Sequence, residues 1–207
     1  MNKIDITGIL KDAWNKTRAN FWVIMNALLI TALVFFITNL FSLYAEGRGV
    51  WLNLSAFITE TLVDGFMVFA LIRFFLGIYN DEASNVFGMF RDVKGFYKFI
   101  ILYTALNVAT VAGVILLVVP AIYLIITYSF SVYIMLDQEL GIQESIAESA
   151  RITKGNKWEL FKFWLVLLFI NIVGVAFFVV GLLLTLSISF LTIIEVYKRL
   201  SVEEEIA

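Results

Sequence analysis

Long apolar runs alternate with short polar segments along the whole chain. A transmembrane helix needs about 20 predominantly apolar residues to cross the hydrocarbon core of a bilayer, which is about 30 Å thick. Four runs reach this length, and two of them are about twice as long as one span and are interrupted at Pro120 and Gly181. The pattern therefore predicts six membrane-spanning helices, at residues 20–44, 59–79, 96–118, 120–136, 158–179 and 182–198.

The basic residues are distributed unevenly among the polar segments. Lysine and arginine are enriched in loops that stay in the cytoplasm. With six spans, 14 of the 15 basic residues fall on one side of the membrane, and Arg48 alone falls on the other. An odd number of spans would scatter them over both sides. The sequence thus predicts an integral protein of the cytoplasmic membrane, with its N- and C-termini both in the cytoplasm.

Each basic segment that precedes a pair of spans has the periodicity of an amphipathic helix at the membrane interface. One helical face of each segment gathers mainly apolar residues: Ile6, Leu10, Ala13, Trp14 and Thr17 in the first, Val86, Phe90 and Val93 in the second, and Ile142, Ile146, Ala150 and Thr153 in the third. The junctions that follow contain basic and aromatic residues suited to anchoring at the interface, namely Arg18, Trp22, Lys94, Tyr97, Lys154, Lys157 and Trp158.

These features together predict an all-α fold with a single polytopic membrane domain over residues 1–207. Its six transmembrane helices form three hairpins, each preceded by a cytoplasmic amphipathic helix. A shift of 61 residues places Gly113 on Gly174 and Pro120 on Gly181, which favours a true internal repeat. The alternative is that any cytoplasmic loop entering a membrane has this appearance.

The composition excludes several classes of function. Hydrophobic residues make up 61% of the chain and charged residues 15%, whereas a soluble domain has about 45–50% and about 25%. The chain has no His and no Cys, which excludes Ser-His triads, thiolate nucleophiles, disulfides and the common zinc and haem ligand sets. The net charge of −2 argues against a nucleic-acid partner. We therefore expect no catalytic residues, no cofactor and no metal.

Two acidic residues of the second span are the main candidates for an intramembrane polar site. Glu60 and Asp64 are four residues apart and share one helical face, about 6 Å apart along the axis. Ionisable groups inside a bilayer are costly and usually functional, and two carboxylates could hold a proton or a cation. Alternatively both lie in the outer headgroup region and are solvated, because the clean apolar part of this span begins only at Gly65.

Other residues within the spans indicate helix packing. Asn107 and Asn171 are expected to form interhelical hydrogen bonds or, alternatively, to belong to the same polar site. A stripe of small residues at four-residue spacing would let another helix approach span three closely, either within the protein or in a homodimer, and it consists of Ala105, Ala109 and Gly113.

The C-terminal 80 residues contain a set of loosely spaced motifs. They are Pro120 at the start of span four, Asp137 at its end, the helical segment Glu148-Ser149-Ala150-Arg151, Gly155-Asn156 after it, Gly181 in the last hairpin, and Tyr197 to Leu200 at its end. In these motifs the chain resembles a group of uncharacterised multi-pass prokaryotic membrane proteins that is related to the membrane domain of glycerophosphodiester phosphodiesterases. The resemblance implies a six-helix membrane fold without an assigned activity. The sequence contains no phosphodiesterase domain, so lipid hydrolysis does not carry over.

Three functions are compatible with these observations. The first is a non-catalytic scaffold or accessory subunit at the bilayer and its cytoplasmic face, with the lipid bilayer, another membrane protein or a second copy as partner. The second is a small transporter or channel for a proton, cation or small solute that uses Glu60 and Asp64. The third is an intramembrane enzyme that relies on carboxylates alone. We expect the first, because the common catalytic residue types are absent and the predicted outer face is nearly bare.

Overall fold

The computed structural model describes residues 5–82, 85–90, 93–116 and 118–205. Within these residues all regular structure is helical and comprises nine α-helices and one short 3-10 helix. The α-helices are α1 (Ile6–Ala19), α2 (Phe21–Ala45), α3 (Val50–Tyr79), α4 (Phe96–Leu116), α5 (Val118–Tyr128), α6 (Ser131–Asp137), α7 (Ile142–Ile152), α8 (Lys157–Ala176) and α9 (Phe178–Glu205), and the 3-10 helix, Val86–Phe90, lies between α3 and α4.

Six segments of the described chain are long and apolar enough to cross a membrane, as the sequence predicts, so the protein is a polytopic membrane protein. They are Phe21–Ala45, Val50–Tyr79, Phe96–Gly113, Pro120–Asp137, Lys157–Ala176 and Val180–Val202. α3 begins at Val50 rather than at residue 59, which shortens the connection between the first two spans to residues 46–49. The fourth span is divided by a turn into α5 and α6.

Consecutive long helices pack against each other in pairs, α2 with α3, α4 with α5, and α8 with α9. Aromatic side chains fill the space between the pairs. The rings of Phe75 in α3 and Phe190 in α9 stack with their centroids 4.7 Å apart. Phe69 in α3 meets Phe99 in α4 edge to face, with the centroids 5.3 Å apart. α3 therefore contacts all three pairs of long helices, since it packs on α2, α4 and α9.

Glycine permits the close approach of the helices in two of these pairs. A Cβ atom added to Gly113 in α4 would lie 3.1 Å from the Cα of Ala121 in α5. One added to Gly174 in α8 would overlap the side chain of Thr185 in α9. Because lipid is as apolar as the side chains, van der Waals contact between small residues is a main source of attraction between membrane helices. A larger residue at either glycine would separate the two helices.

Two of the predicted interfacial helices are α-helices, and the described part of the other is not. In α1 the buried residues are Ile9, Ala13 and Thr17, and this helix packs on α9. The second segment forms the short 3-10 helix Val86–Phe90, where the sequence indicated an amphipathic α-helix. Gly88 lies in its middle, and glycine is about 1 kcal/mol less favourable than Ala inside an α-helix.

The break between α5 and α6 is covered by α7. α5 ends at Tyr128 and α6 begins at Ser131. Next to this break, the carbonyl oxygen of Thr127 accepts hydrogen bonds from the hydroxyls of Ser149, at 2.9 Å, and Thr153, at 3.3 Å. Lipid offers no partner to a backbone carbonyl, so a break within a span needs such donors. The two hydroxyls supply them.

Hydroxyl residues form the most buried face of α7. Ser145, Ser149 and Thr153 follow one another at four-residue spacing, and each is fully buried. The predicted face was correct for Thr153, but its apolar members are only half-buried, namely Ile142, Ile146 and Ala150. The sequence did carry the signal, a serine or threonine at every fourth position. Hydrophobic periodicity alone does not assign such small polar residues to a buried face.

Replacement of both Ser149 by Ala and Thr153 by Val should destabilise the protein. The Thr127 carbonyl would lose both hydroxyl partners, and an unsatisfied buried polar group costs about 1–3 kcal/mol. The measurement is the free energy of unfolding in detergent micelles. Ser145→Ala is the matched control, because the Gly141 carbonyl that accepts from the Ser145 hydroxyl also accepts from the Ser145 backbone N–H. Equal losses in the control and the double variant would contradict the role assigned to α7.

Candidate functional site

Glu60 and Asp64 lie between α2 and α3, where each accepts a hydrogen bond from a hydroxyl group of α2. Ser42 Oγ donates to Glu60 Oε2 at 2.5 Å, and Thr38 Oγ1 donates to Asp64 Oδ1 at 2.9 Å. Both acidic residues are partly buried. The structure thus brings the two predicted residues to the same helix pair, each with its own partner. Within the described residues, no group of three or more acidic, histidine or cysteine side chains could hold a metal ion.

This carboxylate pair lies far along α2 from Trp22, the predicted anchor at the start of that helix. At a rise of 1.5 Å per residue, Thr38 is about 24 Å and Ser42 about 30 Å from Trp22 along the axis. Close to Ser42 in the chain, the guanidinium of Arg48 lies 4.0 Å from the ring centroid of Tyr44. Ser42 and Glu60 are therefore about one bilayer thickness away from the Trp22 end, and Asp64 is about 6 Å nearer the middle.

The described hydrogen bonds of Asn107 and Asn171 lie elsewhere. Asn107 Nδ2 donates to the carbonyl of Tyr103 at 2.8 Å, and its side chain lines a cavity of about 200 Å³ beside α5 and α6. Asn171 Nδ2 donates to the carbonyl of Leu167 and to Ser189 Oγ, both at 2.8 Å. Asn171 thus joins α8 to α9. The hydrogen bond of Asn107 stays within α4.

The stripe of small residues on α4 divides into a buried and an exposed part. Gly113 is buried and packs on Ala121 of α5. Ala105 and Ala109 are exposed, although Ala109 lines the same cavity as Asn107. The internal packing role therefore applies to Gly113, and the two alanines remain accessible to another helix.

Most of the predicted interfacial anchors are exposed. The exposed anchors are Arg18, Trp22, Lys94, Tyr97, Lys154 and Trp158. Lys157 differs, because its Nζ lies 3.5 Å from the ring centroid of Tyr123 in α5. Anchoring to lipid headgroups requires such exposure.

An ionic cluster that sequence reasoning missed joins the ends of α6 and α9. Lys198 Nζ lies 2.9 and 2.7 Å from the two carboxylate oxygens of Asp137, and the Tyr197 hydroxyl donates to the same carboxylate at 2.6 Å. Gln138 Nε2 in turn donates to the Tyr197 hydroxyl at 3.0 Å. Only 11% of the Asp137 side chain is exposed, so these donors replace most of its water. Asp137 and Tyr197 are both among the sequence motifs, but their 60-residue separation gave no sign of the contact.

A second polar cluster joins α1, α3 and α9. Lys16 Nζ donates to the carbonyl of Tyr79, at the last residue of α3, at 2.6 Å, and lies 3.4 Å from Asp81 Oδ1. The Tyr79 side chain interacts electrostatically with Glu195 of α9. Arg199 Nε donates to the same Glu195 at 2.6 Å. The ends of α1, α3, α6 and α9 are thus tied together by charged and hydroxyl groups.

A cavity of about 190 Å³ lies where α4 begins and α6 ends. Its charged and hydroxyl-bearing lining residues are Arg73, Lys94, Tyr97, Lys98 and Glu139. One guanidinium nitrogen of Arg73 donates to the backbone carbonyl of Lys94 at 3.1 Å, which links α3 to the start of α4. Among the lining residues that the structure describes, three side chains are basic and one is a carboxylate, a composition that suits an anion.

Comparisons with curated proteins and with solved structures give no match to the chain. A protein family described as a protein of unknown function (DUF975) matches residues 100–203. The matched segment contains the Asp137 cluster and the whole stretch from Pro120 to Leu200 in which the sequence motifs lie. Since the match covers half of the 207 residues, the protein belongs to the DUF975 family.

Proposed function

We propose that this protein is a non-catalytic integral membrane protein that acts as a scaffold or accessory subunit at the bilayer and at one face of it. The supporting observation is that the described ion pairs lie at one end of the bundle. Lys16 of α1 binds the end of α3, Lys198 of α9 binds the end of α6, and α7 packs on α6. We call this end of the bundle the polar layer. Lipid headgroups or a partner protein would contact it.

The layer is built from three units in this proposal, each an interfacial segment followed by a hairpin. α4 and α8 begin 61 residues apart, at Phe96 and Lys157, which is the spacing of the repeat in the sequence. A glycine with positive φ precedes each of them, Gly95 before α4 and Gly155 before α8. The relation to the membrane domain of glycerophosphodiester phosphodiesterases remains a prediction from sequence motifs.

The same layer faces the cytoplasm of a prokaryotic cell in this proposal. The reason is the distribution of charge along the sequence, because 14 of the 15 basic residues fall on that side in a six-span topology. The carboxylate pair of Glu60 and Asp64 then lies toward the opposite, outer boundary.

Transport by way of Glu60 and Asp64 is the second candidate function. It is favoured by the presence of two partly buried carboxylates on one face of α3. Against it, both carboxylates accept hydrogen bonds from α2, an arrangement that stabilises helix packing. The cavity at the start of α4 and the cavity beside α5 and α6 are lined by other residues. We therefore assign the pair to the cohesion of α2 with α3.

Proton flux through the purified protein in vesicles should equal that of protein-free vesicles. The measurement is the fluorescence of an enclosed pH indicator after a potassium diffusion potential is imposed. Glu60→Gln and Asp64→Asn should leave this baseline unchanged, and Glu46→Gln, a change at an exposed carboxylate near the same end of α2, serves as the control. Flux above the baseline that disappears in the first two variants alone would establish transport and overturn the scaffold assignment.

Single introduced cysteines should report the orientation, since the native chain has none. Ala147→Cys, on the exposed side of α7, should resist an impermeant maleimide in intact cells and react in inverted membrane vesicles. Glu46→Cys, in the connection between α2 and α3, should show the opposite behaviour. Reaction of Ala147→Cys from outside the cell would contradict the proposed topology.

A photoreactive benzoylphenylalanine at Ala147 or Asn15 should form a discrete protein adduct in native membranes, because both positions are exposed on the short helices of the polar layer. The adduct is to be identified by mass spectrometry as a second copy or another membrane protein. The same residue at Phe36, exposed on α2 within the span, is the matched control and should yield lipid adducts. Absence of protein adducts at both layer positions would argue against an accessory role.

A further inference from the structure

The basic cavity at the start of α4 has the position of a headgroup site. Its lining comes from the first residues of α4, from Arg73 in the last two turns of α3, and from the segment Met135 to Leu140 at the end of α6. These are the ends of three candidate membrane spans. A volume of about 190 Å³ holds about six water molecules at about 30 Å³ each, so a phosphate group and its first substituent fit within it.

The cationic groups of the cavity are suited to a phosphate. The guanidinium of Arg73 is held in place by its hydrogen bond to the Lys94 carbonyl and by the Phe69 ring, whose centroid is 5.7 Å away. Arginine binds phosphate oxygens with two parallel N–H groups, and lysine binds them as a point charge. Arg73 and the lysines 94 and 98 thus combine both modes around one space.

The two lysines occupy positions that the helix itself disfavours. Lys94 and Lys98 flank the N-terminus of α4, which begins at Phe96, and the positive end of the helix dipole repels cations there. Gly95, with φ of +82°, makes the turn that places Lys94 at this end. Glu139 offsets part of the positive charge from the facing segment. An anion in the cavity would lie at this positive end of the helix dipole, next to both lysines.

The apolar part of the lining favours a lipid over a free anion. Met135, Leu136 and Leu140 form one wall, and Tyr97, which is 65% exposed, stands at the rim. Basic pockets between membrane helices on the cytoplasmic side are suited to anionic headgroups.

From these observations we infer that the cavity formed by Arg73, Lys94, Lys98 and Glu139 binds the phosphate of an anionic phospholipid headgroup. The inference deepens the proposed function and rests on the placement of this end of the bundle at the inner membrane boundary. The bound phosphate would join the start of α4 to α3 and to the turn after α6.

The experiment measures lipid preference of the full-length protein in detergent. The delipidated protein is incubated with equal amounts of phosphatidylglycerol and phosphatidylcholine that have the same acyl chains, and the bound lipids are counted by native mass spectrometry. The wild type should retain phosphatidylglycerol in preference. Lys94→Gln and Lys98→Gln should each reduce the ratio of bound phosphatidylglycerol to bound phosphatidylcholine about fivefold, since a basic residue near an anionic headgroup contributes about 1 kcal/mol. Glu139→Gln should raise it.

The control variant is Lys11→Gln, which removes one positive charge from an exposed position outside the cavity, as each of the two cavity variants removes one within it. Its ratio should equal that of the wild type. Equal reductions in the control and the cavity variants, or no preference in the wild type, would overturn the inference. The Glu139→Gln variant tests the opposite direction, because it removes the negative charge of the cavity lining and leaves both lysines in place.

A second arm distinguishes a lipid from a free phosphate. Inorganic phosphate is titrated into the lipid-free protein by calorimetry. Binding that requires Lys94 and Lys98, together with no preference for phosphatidylglycerol, would assign the cavity to a soluble phosphate and overturn the lipid assignment. The outcome is separable from that of the proposed function. Proton flux through Glu60 and Asp64 with an intact lipid preference would overturn the scaffold proposal alone.

Discussion

The structure depends on one constraint, which is that a polar group within the bilayer must find its partner inside the protein. The break between α5 and α6 shows its effect most directly. Thr127 presents a carbonyl oxygen beside this break, and the hydroxyls of Ser149 and Thr153 bind it. The position of α7 follows, because a helix that supplies these donors must pack against the break with its hydroxyl face. An apolar face on α7 could not perform this task.

The same constraint explains why the contacts between helices differ along the bundle. Within the spans, apolar contact brings little hydrophobic gain, so close packing at glycine and between aromatic rings holds the helices together. At the end where α3, α6 and α9 finish, charges can be partly hydrated, and ion pairs take over. Asp137 with Lys198 and Glu195 with Arg199 lie there. The helix pairs are therefore held together by close packing in the middle of the spans and by ion pairs at this end.

This distribution separates two regions with different chemistry. The carboxylates of Glu60 and Asp64 lie between two helices, and each is hydrogen-bonded to a hydroxyl group. The basic cavity around Arg73, Lys94 and Lys98 is lined, within the described part of the chain, by these three basic side chains and one carboxylate, and it lies where spans end. Half-buried carboxylates that accept hydrogen bonds from hydroxyls can hold two helices together, whereas basic side chains that line an open cavity favour the binding of an anion. The second region is thus the better candidate for interaction with headgroups.

The sequence by itself determined the helical class and the number of spans, because the length and polarity of each run decide whether it can cross a bilayer. It also placed Glu60 and Asp64 on one helical face, since four-residue spacing is a local property. The tertiary structure alone decided the break before Ser131, the hydroxyl face of α7, and the contact of Asp137 with residues about 60 positions away. These features depend on which helices become neighbours, and hydrophobic periodicity carries no information on that choice. The role of a serine or a lysine becomes apparent only when the tertiary structure shows which polar group it binds.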